Sequence, residues 1–259
     1  MKIPIYQVDA FAEEPFAGNP AAVCPLETWP DDSLLLNIAS ENNLSESAFF
    51  VEREGGYELR WFTPENEVDL CGHATLATAY VIFEELNYEK DLLEFKTQSG
   101  ELEVYREGNY FSMDFPSRPP EPSDRDESII AGLGVEPAYV FESRDYMAVY
   151  ESEEQIRSLD PDMSLLKEGA WTGIIATAEG KTVDFVSRFF APGEGIPEDP
   201  VTGSAHCTLV PYWSERLGKK NLKARQVSSR GGKLACQDLG SRVKIKGSAV
   251  LFLKGEIRV

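Results

Sequence analysis

The apolar stretches 3–9 and 21–25 read as strands. Pro30-Asp31-Asp32 then opens a stretch where Leu34, Leu35, Ile38 and Ala39 recur at helical spacing. Further strands are expected at 47–51 and 57–62. Beyond the Thr63-Pro64 turn, residues 72–86 are apolar nearly all round, through Ala74, Leu76, Ala77, Ala79, Val81 and Ile82. That pattern predicts a helix enclosed on every side. Strands at 93–96, 101–105 and 110–115 would supply sheet to wrap it.

The pattern is then repeated. Arg60-Trp61-Phe62-Thr63-Pro64 recurs as Arg188-Phe189-Phe190-Ala191-Pro192, from 60 to 188, and Gly72-His73-Ala74 recurs as Gly203-Ser204-Ala205, from 72 to 203. Ala22-Val23 pairs with Ala148-Val149, and Gly100-Glu101-Leu102 with Gly232-Lys233-Leu234. The matches keep their order and their offset drifts slowly upward, as small loop insertions would make it. Residues 203–217 repeat the buried helix, although Pro211 inside it demands a kink or a late start. The expectation is an α+β fold of two similar lobes, each a curled, barrel-like mixed sheet around a central helix. The lobes are placed at 1–115, with 249–259 a candidate strand to complete it, and at 126–248. The proline-rich stretch 116–125 reads as the linker.

Composition narrows the function. The formal net charge is −19, from 25 Lys+Arg against 44 Asp+Glu, which repels nucleic acid and anionic membrane surfaces. Cys24, Cys71, Cys207 and Cys236 form no CxxC pair and are too sparse for a disulfide framework, so a reducing cytoplasm fits best. Asp9 interrupts any signal-peptide core, and no apolar run approaches the roughly 20 residues of a membrane helix. The expected protein is soluble, cytoplasmic and directed at small molecules. His73 and His206 fall in different halves without a ligand cluster, so no metal is expected. The glycine-rich run 229–233 lacks P-loop spacing and, like its mirror at 98–101, reads as a hairpin corner.

Two related lobes leave a cleft, and helix N-termini entering it offer unpaired N–H groups to an anion. Gly72-His73 and Gly203-Ser204 hold those equivalent positions; an ordinary glycine-led helix start is the plain alternative for each. Proton transfer also needs a base, and here the symmetry breaks. At an offset of 126, segment 44–48 meets 170–174, so Glu46 has no acidic partner. Asp199 leads into the second helix, where the first has Val68-Asp69-Leu70-Cys71. A carboxyl group shielded in an apolar cleft can take a proton from carbon and return it elsewhere. A solvated or helix-capping carboxylate is the alternative for Glu46.

Glu41-Asn42-Asn43-Leu44-Ser45-Glu46-Ser47-Ala48-Phe49, Cys71-Gly72-His73-Ala74-Thr75 and Asp199-Pro200-Val201-Thr202-Gly203-Ser204-Ala205-His206 resemble the three signature blocks of the phenazine-biosynthesis isomerase (PhzF-like) family. Val8-Asp9-Ala10-Phe11 with Gly18-Asn19-Pro20-Ala21-Ala22 is similar to that family's N-terminus. The resemblance implies a diaminopimelate-epimerase-like fold, with Glu46 as general acid/base and His73, Asp199 and Ser204 in the polar constellation. It further implies that the Gly72–His73 and Gly203–Ser204 amides hold a substrate carboxylate. The family's name-giving member isomerises a dihydro-hydroxyanthranilate without metal or organic cofactor, and a homodimer is common among relatives. The resemblance therefore implies a cofactor-free isomerase acting on a small carboxylate.

A thiol-dependent racemase or epimerase is the enzymatic alternative, because its related fold places a cysteine just before the glycine of each central helix. Cys71 fills that slot, but its counterpart is Thr202, which supplies no thiolate. A small buried thiol is the commoner fate of such a cysteine. A binding protein that keeps the fold without catalysis is the other alternative.

Overall fold

A computed structural model describes residues 1–169, 171 and 173–259. The first half runs β1 (Lys2–Ala10), β2 (Asn19–Leu26), α1 (Asp32–Asn42), β3 (Glu46–Arg53), β4 (Gly56–Phe62), β5 (Glu67–Val68), α2 (Gly72–Tyr80), β6 (Leu92–Thr97), β7 (Gly100–Glu107) and β8 (Tyr110–Pro116). The second runs β9 (Glu121–Pro122), α3 (Glu127–Leu133), β10 (Tyr139–Glu142), β11 (Tyr146–Val149), α4 (Glu153–Ser158), α5 (Met163–Glu168), β12 (Ile174–Glu179) and β13 (Phe185–Ala191). It ends with β14 (Ile196–Asp199), α6 (Gly203–Leu217), β15 (Asn221–Gln226), β16 (Gly232–Asp238), β17 (Arg242–Gly247) and β18 (Ala249–Arg258). The chain divides into two compact units, Met1–Asp114 with Lys246–Val259, and Phe115–Ile245. Among the described residues, no helix is long and apolar enough to cross a membrane.

In the first unit β2–β3 and β4–β6 are parallel neighbours, whereas β1–β2, β3–β4, β6–β7 and β1–β18 are antiparallel. A parallel join needs a crossover, which α1 supplies to the first and α2 to the second. The first crossover buries Leu35, Ile38 and Ala39 against Phe49 and Phe62. The second is apolar all round and buries every residue from Gly72 to Ala79, packing against β1, β2, β3 and β18. The helix expected over 72–86 ends its α segment at Tyr80 and finishes as a π turn, Val81–Glu85.

The second unit has the same plan. Its parallel joins are β11–β12 and β13–β15, bridged by α4 with α5 and by α6 respectively. The glycine-rich runs are the expected corners, with Gly100 at φ +99° and Gly231 at φ +67°. Each unit is thus a mixed sheet curled around a central helix without closing into a barrel.

Strand registers refine the alignment of the repeats. Ala22, Ser47 and Phe62 lie abreast in the first unit, and Tyr146, Ile174 and Phe190 in the second. With Phe62 equated to Phe190, Ala22 answers to Tyr146 rather than Ala148, and Glu46 to Gly173 rather than Thr172. The short Ala-Val match was two residues out of register. Of segment 170–174, Ala170 and Thr172 lie outside the described residues.

Helix α6 begins at Gly203 and runs through Pro211, so a late start is not needed. Proline has no N–H for the carbonyl four residues back, which here belongs to Cys207. That carbonyl accepts instead from the Arg118 N–H at 2.9 Å.

His206, fully buried on α6, has Nδ1 2.7 Å from the Thr202 carbonyl. A carbonyl only accepts, so Nδ1 carries the proton, and a second proton would go to Nε2, which is buried without a partner. Burial accordingly holds its pKa down to about 4, from an ordinary 6.5. The folded value lies below the unfolded one, so this stability is present above pH 6.5 and is lost as pH falls from there through about 4. Urea unfolding at pH 7, 6 and 5 should show a loss approaching about 1.4 kcal/mol per unit from this group. His206→Asn, which keeps a donor toward Thr202, should flatten that slope.

Candidate functional site

In the first unit the site is assembled by the ends of β3, β4 and α2. Helix α1 ends on Asn43 in the left-handed region, φ 51°, which turns the chain into β3. The Asn42 amide donates to Ser47 Oγ at 3.0 Å, fastening that corner. Glu46 is the first residue of β3 and lies beside Ala21 of β2. On β4, Arg60 grips Glu67 of β5 through two hydrogen bonds of 2.7 Å, and its guanidinium lies 5.1 Å from the centre of the Phe62 ring. This clamp fixes the segment that delivers Cys71 and His73 to the start of α2.

Three side chains converge there. His73 Nε2 lies 3.2 Å from Glu46 Oε2, with the side chains 5% and 14% exposed. The pair is at contact distance without the alignment of a full hydrogen bond. Cys71 Sγ lies 3.5 Å from His73 Nδ1. Burial pushes the His73 pKa down to about 3, so the imidazole is neutral near pH 7 and the contact with Glu46 is not an ion pair. With its proton on Nε2, the ring faces Glu46 as a donor and leaves Nδ1 to accept from the Cys71 thiol. Each of the three also offers an atom that could bind a metal, all within 4.8 Å of one another, a grouping the sequence reading did not foresee.

The second unit repeats the frame with different chemistry. Arg188 grips Glu198 through hydrogen bonds of 2.7 and 2.9 Å and lies 4.9 Å from the centre of the Phe190 ring. From 67 to 198 the offset is the same as from Gly72 to Gly203, so the clamp belongs to the repeat. Asp199 is buried and accepts from Thr202 Oγ1 at 2.5 Å. Gln226, which sequence reasoning missed, donates to the Asp199 carbonyl at 2.7 Å and accepts from the Thr202 N–H at 2.9 Å. A strand glutamine 27 residues along the chain from Asp199 carries no local signal for that contact. Ser204 is the second residue of α6 and is half-buried.

Both central helices start without a side-chain cap, from extended Cys71 in one unit and extended Thr202 in the other. Their first amides are therefore left for another acceptor. The arrangement can hold an anion at each helix start and move a proton at Glu46.

The protein-family model described as "Phenazine biosynthesis-like protein" matches residues 8–255. An "uncharacterized isomerase" of Pseudomonas aeruginosa is 51% identical over 259 residues, covering 100% of both chains. A crystal structure of a phenazine biosynthesis protein of the PhzF family from Enterococcus faecalis superposes with a TM-score of 0.97 at 49% identity, covering 100% of both chains. The fold alone is shared with a hydroxyproline epimerase from Agrobacterium vitis, TM-score 0.66 at 10% identity, over 99% of this chain and 92% of that one. With the family match spanning nearly its whole length, the chain belongs to the phenazine biosynthesis-like (PhzF) family.

Proposed function

We propose that the protein is a cofactor-independent isomerase that moves a proton within a small carboxylate substrate, with Glu46 as general acid/base. Curated relatives named as isomerases support the reaction type. The observation that carries the reading is a half-buried Glu46 carboxyl at 3.2 Å from the Nε2 of a histidine that burial keeps neutral. A neutral neighbour does not pin Glu46 in its charged form as a cation would, so the carboxyl can cycle between its two states. In the forward step a substrate C–H bond breaks, its proton forms an O–H bond on Glu46, and the electron pair stays delocalised in the unsaturated substrate. The Glu46 carboxyl, its proton exchanging with solvent, then delivers a proton to a second carbon, with the double bond shifted. His73 orients the carboxyl. The uncapped amides at Gly72–His73 and Gly203–Ser204 are assigned to substrate binding, with Asp199 and Ser204 as further polar groups of the reaction. The test is incubation in deuterated water with unsaturated amino and hydroxy acids, followed by NMR for label entering carbon.

One observation favours a second reading, a thiol-based racemase: Cys71 Sγ lies against His73 Nδ1. Its counterpart Thr202, however, donates its hydroxyl to Asp199, and inversion at one carbon needs two bases. Cys71→Ala is expected to keep carbon exchange within about tenfold of the parent. A loss beyond about 100-fold, the scale of a missing acid/base group, would return the assignment to the thiol.

A further inference from the structure

The isomerase reading uses Glu46 and His73 but leaves the Cys71 thiol idle, although its Sγ lies against the imidazole. One donor atom from each of the three residues lies within 4.8 Å of the other two. Among the described residues no other His, Cys, Asp and Glu side chains gather this closely in threes. The donors are one sulfur, one nitrogen and one carboxylate oxygen. That mixture suits a borderline-soft ion such as Zn²⁺, whereas Mg²⁺ and Ca²⁺ take oxygen ligands.

The spacing fits such an ion. Zinc bonds of about 2.3 Å to sulfur and about 2.0 Å to nitrogen, at a tetrahedral angle, put the two donors roughly 3.5 Å apart. Cys71 Sγ and His73 Nδ1 are 3.5 Å apart, so that edge of the site needs no rearrangement. Glu46 lies at the other ring nitrogen, 3.2 Å from Nε2, and becomes the third ligand by turning its side chain toward the ion. With 14% of its side chain exposed against 5% for His73, it also leaves the ion a way in. Three protein ligands would leave the fourth position to water.

Protonation favours binding as well. Burial keeps the imidazole neutral, its pKa down to about 3, so no proton has to leave the ring. With the ring proton on Nε2, the Nδ1 lone pair that accepts from the thiol would bind the ion instead, and the thiol proton passes to solvent. The net charge of −19 draws cations toward the surface. The second unit has Gly173, Thr202 and Ser204 at the equivalent places, and these supply no carboxylate, thiolate or imidazole.

We propose that Glu46, Cys71 and His73 together bind one Zn²⁺ ion, and that the bound ion silences proton transfer by occupying the carboxyl that serves as base. The silencing rests on the isomerase reading above; the binding does not. Chelator-stripped protein would be titrated with CoCl₂ and then with ZnCl₂. Cobalt should give a sulfur-to-metal charge-transfer band at one ion per chain, and zinc should displace it. The band should vanish in Cys71→Ser and Cys71→Ala. Zinc affinity by calorimetry should fall by about 100-fold or more in both and in Glu46→Gln. No band in the parent, a band that persists in both Cys71 variants because another cysteine carries it, or unchanged affinity in folded Glu46→Gln would overturn the site. In the deuterium assay, saturating ZnCl₂ should abolish label incorporation by the parent and EDTA should restore it, while MgCl₂ does neither. Whatever exchange Cys71→Ala retains should persist at zinc concentrations that silence the parent. Exchange that zinc leaves unchanged in the parent would overturn the silencing. The expected binding in a protein whose metal-free form exchanges no substrate would keep the metal site and remove the isomerase assignment.

Discussion

Glu46→Gln is expected to lower deuterium incorporation at substrate carbon by about 10²–10⁴-fold, the usual contribution of a general acid/base. The substitution keeps the shape of the side chain but removes the oxygen that would take the proton. Its effect on folding should be small, because the carboxyl faces a neutral imidazole rather than a buried cation, and the amide can replace it as a neighbour. Unchanged Tm with lost exchange is therefore the expected pair of results. Glu46→Asp should fall between, since it keeps the acid but withdraws it by one methylene from the position opposite His73. Exchange at the parent rate in a folded Glu46→Gln protein would refute the assignment.

Trp213→Ala carries the largest expected cost in stability, about 3–5 kcal/mol by analogy with other buried aromatic truncations. Trp213 is 1% exposed, stacks on Phe185 with ring centres 5.8 Å apart, and donates to Thr177 Oγ1 at 3.0 Å. Truncation would leave a cavity between α6 and β13 and remove a buried hydrogen bond at once. Trp213→Phe, which refills most of the volume but cannot donate, should recover more than half of the loss. Denaturant unfolding of the three proteins separates these terms; equal losses in the two variants would show that the hydrogen bond, not the ring volume, dominates.

The parts legible in the sequence were those whose chemistry is local or repeated. Residues 72–80 advertise their burial because a helix wrapped by sheet has no face to spare for polar groups. Glu46 stood out because its repeat partner is not an acid, and refining that partner from Thr172 to Gly173 left the contrast intact. The contact of Cys71 with His73 was not foreseen, although both side chains sit at one helix start. Gln226 was not legible, because its contacts are with residues of another strand and turn. Which cross-strand neighbours meet depends on register, and aligning Ala22 with Ala148 rather than Tyr146 was a two-residue slip that only the strand pairings corrected. The Arg60–Glu67 and Arg188–Glu198 clamps were half visible: the arginines recur in sequence, but their acids sit on two short strands with no periodicity to mark them.

The proline within α6 changes how the chain can be cut. Because the Cys207 carbonyl depends on the Arg118 N–H, the stretch that reads as a passive tether supplies part of a helix's own hydrogen bonding. A fragment starting beyond Arg118 would strand an acceptor in the middle of its central helix. The Arg118 amide should accordingly resist hydrogen exchange despite its proline-rich surroundings, and fragments for study of the second unit are better begun before it, at Phe115.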